Sequence, residues 1–189
     1  ENPNLYSDFT GQEALWNPVE ELKLEQNGGE TKLLDWDATV KLNLLPLLAK
    51  DGHSIHSLST QLTFADQQSD NFDYWFRPST SRLAMKNDYK GEASRTYSKY
   101  RQHSLEWLGN YAMELKGHRA RAMVGYSYQY FQNSGLNAAN KDFSSDGLLY
   151  NNLGSGEWAK EEGRNEMGTN KSDSKLIAFF GRLSYDYKN

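Results

Sequence analysis

The side chains best suited to acid–base or metal chemistry are a few histidines and a pair of aspartates. His53 and His56 are three residues apart, which on a β-strand places them on opposite faces and argues against a shared metal site. Asp35 and Asp37 share a face and could act as an acid–base pair. The alternative, which we favour, is two charges on a wet strand face, balanced by Lys41 and by neighbouring strands.

The rest of the chain lacks the sequence motifs of an enzyme. His103 and His118 have no partner nearby in the sequence and cysteine is absent, so we predict neither a metal site nor a cofactor. Lys141–Gly147 lacks the oxygen-ligand spacing of an EF-hand, which favours a solvated loop over a calcium site. No Gly-x-Ser-x-Gly elbow or phosphate-binding loop occurs. We therefore predict that the protein is not an enzyme.

Aromatic residues in polar stretches are the best candidates for ligand binding. Tyr74 and Trp75 lie in the first of two long polar stretches, while Tyr150 and Trp158 lie in the second. Exposed rings offer sugars and peptides an apolar stacking surface with a polar rim. The alternative is that these rings pack the loops onto each other or against a partner protein.

The composition is typical of a structure with one apolar face and one wet face. Aromatic residues make up 13% of the chain, although the mean hydropathy is only -0.85. Transmembrane barrels have this character, and so do aromatic-rich extracellular β-domains. No apolar run is long enough for a transmembrane helix, which needs about 20 residues. The net charge of -4 argues against nucleic acid as a partner.

Alternation of apolar and polar residues with a period of two predicts β-strands. Over 34–44, for example, the even positions are apolar and the odd positions are polar. A helix would spread both sets around its circumference. Strands are predicted at 31–45, 53–65, 90–116, 119–132 and 174–188, and long loops at 1–30, 66–89 and 133–173.

The predicted connections alternate between short turns and long loops. Lys116–Arg119 is a tight hairpin, and 45–52 is also short, whereas the other two connections are long. Outer-membrane barrels have this layout, and about five strands are too few to close one. We therefore expect an internal piece of a longer chain. For the aromatic residues on the strands we expect contact with lipid or its interface, and the alternative is packing in a protein core. These residues are Trp36, Trp107, Tyr111, Tyr126, Tyr128, Tyr185 and Tyr187.

Six stretches of the chain form an ordered set, and none of them is a catalytic motif. The stretches are Asn17–Val19, Phe76–Ser79, Gly91–Ser98, Val124–Gln129, Leu149–Gly154 and Leu176–Tyr187. This ordered set, which spans about residues 17 to 188, resembles the SusC-like (SusC/RagA) TonB-dependent outer-membrane proteins.

This resemblance implies an all-β fold, an antiparallel meander of about five long strands within a large transmembrane β-barrel with long extracellular loops. The family's barrels have ~22 strands and a plugged lumen. The implied function is import of a glycan or a peptide through the outer membrane. The implied partners are a SusD-like surface lipoprotein, the TonB complex acting through parts absent from this chain, and outer-membrane lipid. The alternative is a soluble, β-sandwich-like carbohydrate-binding module.

Overall fold

Five long strands form the protein's one described sheet. The computed structural model describes residues 18–45, 55–164 and 166–187. Each strand is hydrogen-bonded to its neighbours in the sequence, in the order β1-β2-β3-β4-β5. The strands are β1 (Gln26–Asn43), β2 (Ile55–Arg77), β3 (Glu92–Leu115), β4 (His118–Lys141) and β5 (Met167–Tyr187). The predicted all-β antiparallel meander is confirmed.

The connections contain short helices and one tight turn. Lys116 and Gly117 have φ angles of 49° and 86°, the two positive values that a type I′ hairpin needs. The predicted hairpin is therefore confirmed. Two α-helices, α1 (Pro18–Leu24) and α2 (Arg82–Lys86), lie outside the sheet. Three 3₁₀ segments, Asp146–Asn151, Leu153–Ser155 and Trp158–Lys160, lie between β4 and β5.

The strands are longer than the sequence pattern predicts. The predicted loops 66–89 and 133–173 shorten to 78–91 and 142–166, because β2 continues to Arg77, β4 continues to Lys141 and β5 begins at Met167. β1 likewise begins at Gln26, inside the predicted loop 1–30. Much of this added length, such as residues 66–71 of β2, is polar on both faces and shows no alternation, so backbone pairing with the neighbouring strand defines it instead. Of the predicted connection 45–52, residues 46–52 lie outside the described residues.

The chain divides into two compact units, and all five strands contribute to both. We call residues 18–32, 70–99 and 134–171 the loop-covered unit, since both long connections belong to it. We call residues 33–69, 100–133 and 172–187 the open unit. The described residues contain a single sheet, so they lack the second sheet that the sandwich alternative requires.

The loop-covered unit has an apolar core. Phe76 on β2 and Ala93 on β3 are 2% and 0% exposed, and Phe143 from the second long connection is buried against them. Leu149, Tyr150 and Leu153 of the same connection pack around this cluster. The connection is therefore held on the sheet by apolar burial, the main favourable term in folding.

Buried polar groups fix the second long connection in place. The amide of Asn140, only 6% exposed, donates to the carbonyl oxygens of Leu153 and Gly156 at 2.8 and 2.9 Å. Its oxygen accepts from the backbone N–H of Ala159 at 2.9 Å. One side chain thus satisfies three backbone groups of this connection, each of which would be costly to leave unpaired.

The same connection is tied to the first long connection by carboxylates. Asp146 accepts hydrogen bonds from the backbone N–H and the hydroxyl of Ser79, at 3.0 and 2.8 Å. Asp142 accepts from the backbone N–H of Lys90 at 2.8 Å. Both carboxylates of the segment considered for calcium therefore serve as acceptors for protein donors, which supports a structural role.

The open unit exposes large apolar side chains. Trp36, Val124 and Phe179 are 45%, 52% and 80% exposed. The alternation of the strands gathers them on one face, where Trp36 packs against Phe64 and Tyr126 packs against Phe179, with ring centroids 5.4 and 5.1 Å apart. This face is lined with apolar side chains that the described residues leave uncovered.

Candidate functional site

The four aromatic residues predicted to bind ligand all lie in the loop-covered unit. Tyr74 and Trp75 are not in a loop, since β2 continues to Arg77. As strand neighbours they point to opposite faces of the sheet. Tyr150 and Trp158 do lie in the connection between β4 and β5, within 3₁₀ segments. The structure brings Tyr74 and Tyr150 into direct contact.

Tyr74 and Tyr150 form the centre of an aromatic cluster. Their rings are stacked, with centroids 3.8 Å apart and planes 17° apart. Phe72 lies 6.1 Å from Tyr74 and 6.0 Å from Tyr97, and the Arg95 guanidinium lies 4.8 Å above the Phe72 ring. Alternation places the β2 rings on one face.

The Tyr150 hydroxyl is hydrogen-bonded to the Tyr74 side chain. Burial and the neighbouring Tyr74 raise the pKa of Tyr150 above its ordinary value. Gly28 lies beside this pair, and a side chain there would collide with the Tyr74 ring.

Trp75 belongs to a network of ion pairs on the other face of β2. Its indole N–H donates to Glu25 at 3.2 Å, and the Arg77 guanidinium lies 4.6 Å above its ring. Arg77 also pairs with Glu25 at 2.6 Å and with Glu92 at 3.3 Å. Burial would lower the pKa of Arg77, but hydrogen bonds to Glu25 and Tyr89 outweigh it and raise that pKa.

Trp158 lies at the other end of the same network. Lys141 pairs with Glu92 at 3.3 Å and with Glu166 at 3.6 Å, and its ammonium lies 5.3 Å from the Trp158 ring. The Arg164 guanidinium stacks on that ring at 3.8 Å. Burial would lower the pKa of Lys141, but the two carboxylates raise it above its ordinary value. Trp75 and Trp158 are therefore linked through Arg77, Glu92 and Lys141.

These contacts show what the aromatic residues do within the chain. Each of the four rings stacks on another ring or on a cation, so each one helps to fix a strand or a connection. Sequence reasoning missed their partners Phe72, Arg95 and Tyr97. The missed signal was strand parity in β2. Had the predicted strand 53–65 been extended to Arg77, alternation would have placed Phe72 on the same face as Tyr74.

The histidines considered for metal or acid–base chemistry each contact a tyrosine or an aspartate where the structure describes them, and the two aspartates are exposed. His56 shares a hydrogen bond with Tyr111 at 2.8 Å, His118 shares one with Tyr185 at 2.7 Å, and His103 contacts the Asp66 carboxylate at 3.0 Å. His53 lies outside the described residues. Asp35 and Asp37 are exposed on β1.

Within the described part of the chain, no group of three or more His, Asp or Glu side chains is placed to hold a metal ion. Of the helices described, none is both long enough and apolar enough to cross a membrane.

The residues expected to face lipid are largely exposed in the open unit. Trp36, Trp107, Tyr111, Tyr185 and Tyr187 are exposed, while Tyr126 and Tyr128 are half-buried. The Trp107 indole N–H donates to the Thr60 hydroxyl at 2.8 Å. That bond satisfies the polar atom of the ring within the sheet, so the ring can lie in an apolar environment.

The fold is similar to part of a known transporter. No protein-family model matches the chain, and no curated protein sequence matches it. Among solved structures, it is similar to the RagAB peptide importer in its "closed-closed" state, with a TM-score of 0.64 and 15% identity. The match covers 92% of this chain and 18% of that one.

Two further structures agree with this match. The "open-open" state of the RagAB peptide importer gives a TM-score of 0.63 at 16% identity, covering 92% of this chain and 17% of that one. A structure of the RagAB peptide transporter gives a TM-score of 0.57 at 16% identity, and the match covers 92% of this chain and 18% of that one. The chain therefore spans less than a fifth of the chains it matches. At this identity the likeness shows a fold shared with a transporter.

Proposed function

We propose that this chain is part of the barrel wall of an outer-membrane, TonB-dependent importer of the SusC-like family, and that it has no enzymatic activity. The observation that carries the proposal is the exposed apolar face of the open unit, with Trp36, Val124 and Phe179 uncovered. A water-soluble protein seldom leaves so continuous an apolar surface exposed, whereas a membrane barrel needs one toward lipid.

Strand lengths support the same proposal. In the open unit the strands run over 33–43, 55–69, 100–115, 118–133 and 172–187. A strand of about 10 residues crosses the hydrocarbon of a bilayer, so each of these segments is long enough. The remaining, more polar strand ends and the loops that cover them belong to the other unit. We assign these to the extracellular, water-exposed part of the barrel.

The proposed substrate and partners rest on the similarity to the solved importer structures and on the resemblance to the SusC-like family. The similar solved structures belong to a peptide importer, which favours a peptide over an oligosaccharide as the imported nutrient. A SusD-like surface lipoprotein would capture this nutrient, and the TonB complex would act through parts of the protein that this chain lacks. The soluble carbohydrate-binding module is not favoured, since no second sheet covers the apolar face in the described residues.

Tryptophan fluorescence in lipid tests the orientation of the wall. The full-length protein is folded into vesicles of phosphatidylcholine brominated on its acyl chains, in variants that keep one tryptophan and replace the others with Phe. We expect bromine to quench Trp36 and Trp107, which lie on the apolar face of the open unit. Trp75 and Trp158 are the matched controls and should keep their emission. Equal quenching of all four, or of none, would contradict the proposed orientation.

Uptake experiments test the substrate. Cells with and without the intact gene are grown on peptides or on oligosaccharides as the only carbon source, and we expect the growth defect on peptides.

We also propose that Tyr74, Trp75, Tyr150 and Trp158 belong to the surface that meets ligand or lipoprotein. Trp158→Ala should then reduce uptake more than Leu148→Ala, a control in the same connection at a side chain that is 51% exposed. Equal uptake by both variants would remove Trp158 from that surface.

A further inference from the structure

A polar groove crosses four strands of the open unit. It has a volume of about 310 Å³ and is lined from β2, β3, β4 and β5. Its polar lining residues alternate with the apolar residues of the same strands, so they lie on the face opposite Trp107, Val124 and Phe179. They are Ser57, Ser59, Asn110, Arg121, Arg182 and Ser184.

The two arginines of the groove lack acidic partners. No carboxylate lines the groove, and among the described residues neither Arg121 nor Arg182 has an ion pair or a hydrogen bond from its side chain. Arg119, two positions from Arg121 on the same strand, is paired with Glu114 at 3.4 Å. The groove thus brings two guanidinium groups without acidic partners to one small volume.

The lining residues of the groove indicate the chemistry of a ligand that would fit it. The serines and Asn110 add neutral hydrogen-bond donors, while Ala112 and Met123 supply a small apolar part. The guanidinium fork matches the planar geometry of a carboxylate and binds it through two parallel hydrogen bonds. A carboxylate carried on a short aliphatic or sugar carbon fits this mixture of groups.

We propose that this groove binds the carboxylate group of the solute that passes through the protein. The inference rests on the proposed importer function, because in a barrel this polar face would line the lumen through which the solute passes. It narrows the substrate to acidic molecules, whether acidic peptides or uronic-acid oligosaccharides, whose shared recognition element is the carboxylate.

Binding of defined probes tests this inference. The full-length protein in lipid vesicles is titrated with fluorescein-labelled tetraglutamate and, as a neutral match, tetraglutamine. Trigalacturonate and neutral trigalactose form the sugar arm. We expect at least one acidic probe to bind more tightly than its neutral match, and the arm in which this occurs identifies the source of the carboxylate. Its binding should weaken as salt is added, since the arginines are exposed.

Variants then assign the effect to the groove. The double variant Arg121→Gln/Arg182→Gln should weaken binding of the acidic probe by about tenfold or more, because charge-assisted hydrogen bonds are lost. Arg119→Gln, which removes a paired arginine outside the groove, should change it by less than about twofold. Equal binding by the double variant, or no preference for either acidic probe, would overturn the inference.

The failure of this inference can be told apart from the failure of the importer proposal. Quenching of Trp36 by brominated lipid is recorded on the same preparations. If Trp36 is quenched but the acidic probes do not depend on Arg121 and Arg182, the groove assignment is wrong and the barrel proposal stands. If Trp36 is not quenched, the barrel proposal itself is wrong.

Discussion

The loop-covered unit and the open unit are built from the same five strands, yet they place their large apolar side chains differently. The loop-covered unit buries Phe76 and Phe143 to 2% and 4% exposure under its own connection. The open unit leaves Phe179 80% exposed. In the loop-covered unit, large apolar side chains on the strands are therefore buried by another segment of the same chain. In the open unit, the described residues do not cover them. The difference shows that the described chain covers the large apolar side chains of one unit and leaves those of the other uncovered.

The largest expected effect lies in the core of the loop-covered unit. Phe76→Ala should lower the free energy for opening the connection 142–166 by ~3–5 kcal/mol, since a large buried ring is lost and a cavity remains. Amide hydrogen exchange of that connection measures it. Phe179→Ala is the control, because its ring is exposed and touches no part of that connection. Equal loss of protection in both variants would break the contrast between the units.

A charge placed on β4 in each unit sharpens the comparison further. Val124 and Leu136 are each 52% exposed and lie on the same strand, one in each unit. Val124→Arg should cost ~2–4 kcal/mol in a bilayer, because in the proposed barrel wall the charge would face hydrocarbon. Leu136→Arg should change the free energy of unfolding by no more than ~0.5 kcal/mol, as a substitution at an ordinary exposed position does. Reversible urea unfolding in lipid vesicles measures the loss of stability in both variants. Similar losses would show that Val124 and Leu136 lie in the same environment.

A smaller effect is expected at the polar anchor of the second connection. Asn140→Ala removes the partner of the Leu153 and Gly156 carbonyls and of the Ala159 N–H. Leaving such groups unpaired costs about 1–3 kcal/mol. Hydrogen exchange should therefore speed up at residues 153–159 but not in the hairpin 115–118. Asn137→Ala, an exposed position on the same strand, serves as the control, and an equal change there would argue against the anchor.

The smallest effect concerns pH. The pKa of Lys141 is raised in the folded state above its ordinary value of 10.5. Its stabilising contribution is therefore complete below pH 10.5 and disappears as the pH rises through the folded-state pKa. The difference in unfolding free energy between the parent and Lys141→Met, under about 1 kcal/mol for a pair that is only partly buried, should narrow above that pH.

The control for the pH effect is an exposed ion pair in the same unit. Lys160 contacts Glu157 at 2.6 Å, but the two side chains are 54% and 68% exposed. Lys160→Met should therefore change stability little at any pH. A pH-dependent loss as large as that of Lys141→Met would show that burial of the network has no effect.

Some of these features follow from the sequence and others do not. Alternation at 34–44 and 120–130 was enough to locate strands and to assign their apolar faces, since a residue's parity fixes its side. The hairpin at Lys116 and Gly117 was also predictable, because only a few residue types adopt its backbone. The extension of β2 through 66–77 was not predictable, because residues 66–71 are polar on both faces and their strand state depends on pairing.

The sequence by itself determined the strand type, the hairpin and the division of each central strand into an apolar and a polar face, because these depend on residue parity and local backbone preference. Only the tertiary structure decided which partners the aromatic residues have. Tyr74 meets Tyr150, and Trp75 is linked to Trp158 through Arg77, Glu92 and Lys141. It also decided that Arg121 and Arg182 line one groove. These contacts join residues far apart in the chain, and local sequence carries no information on such distances until the strands are paired.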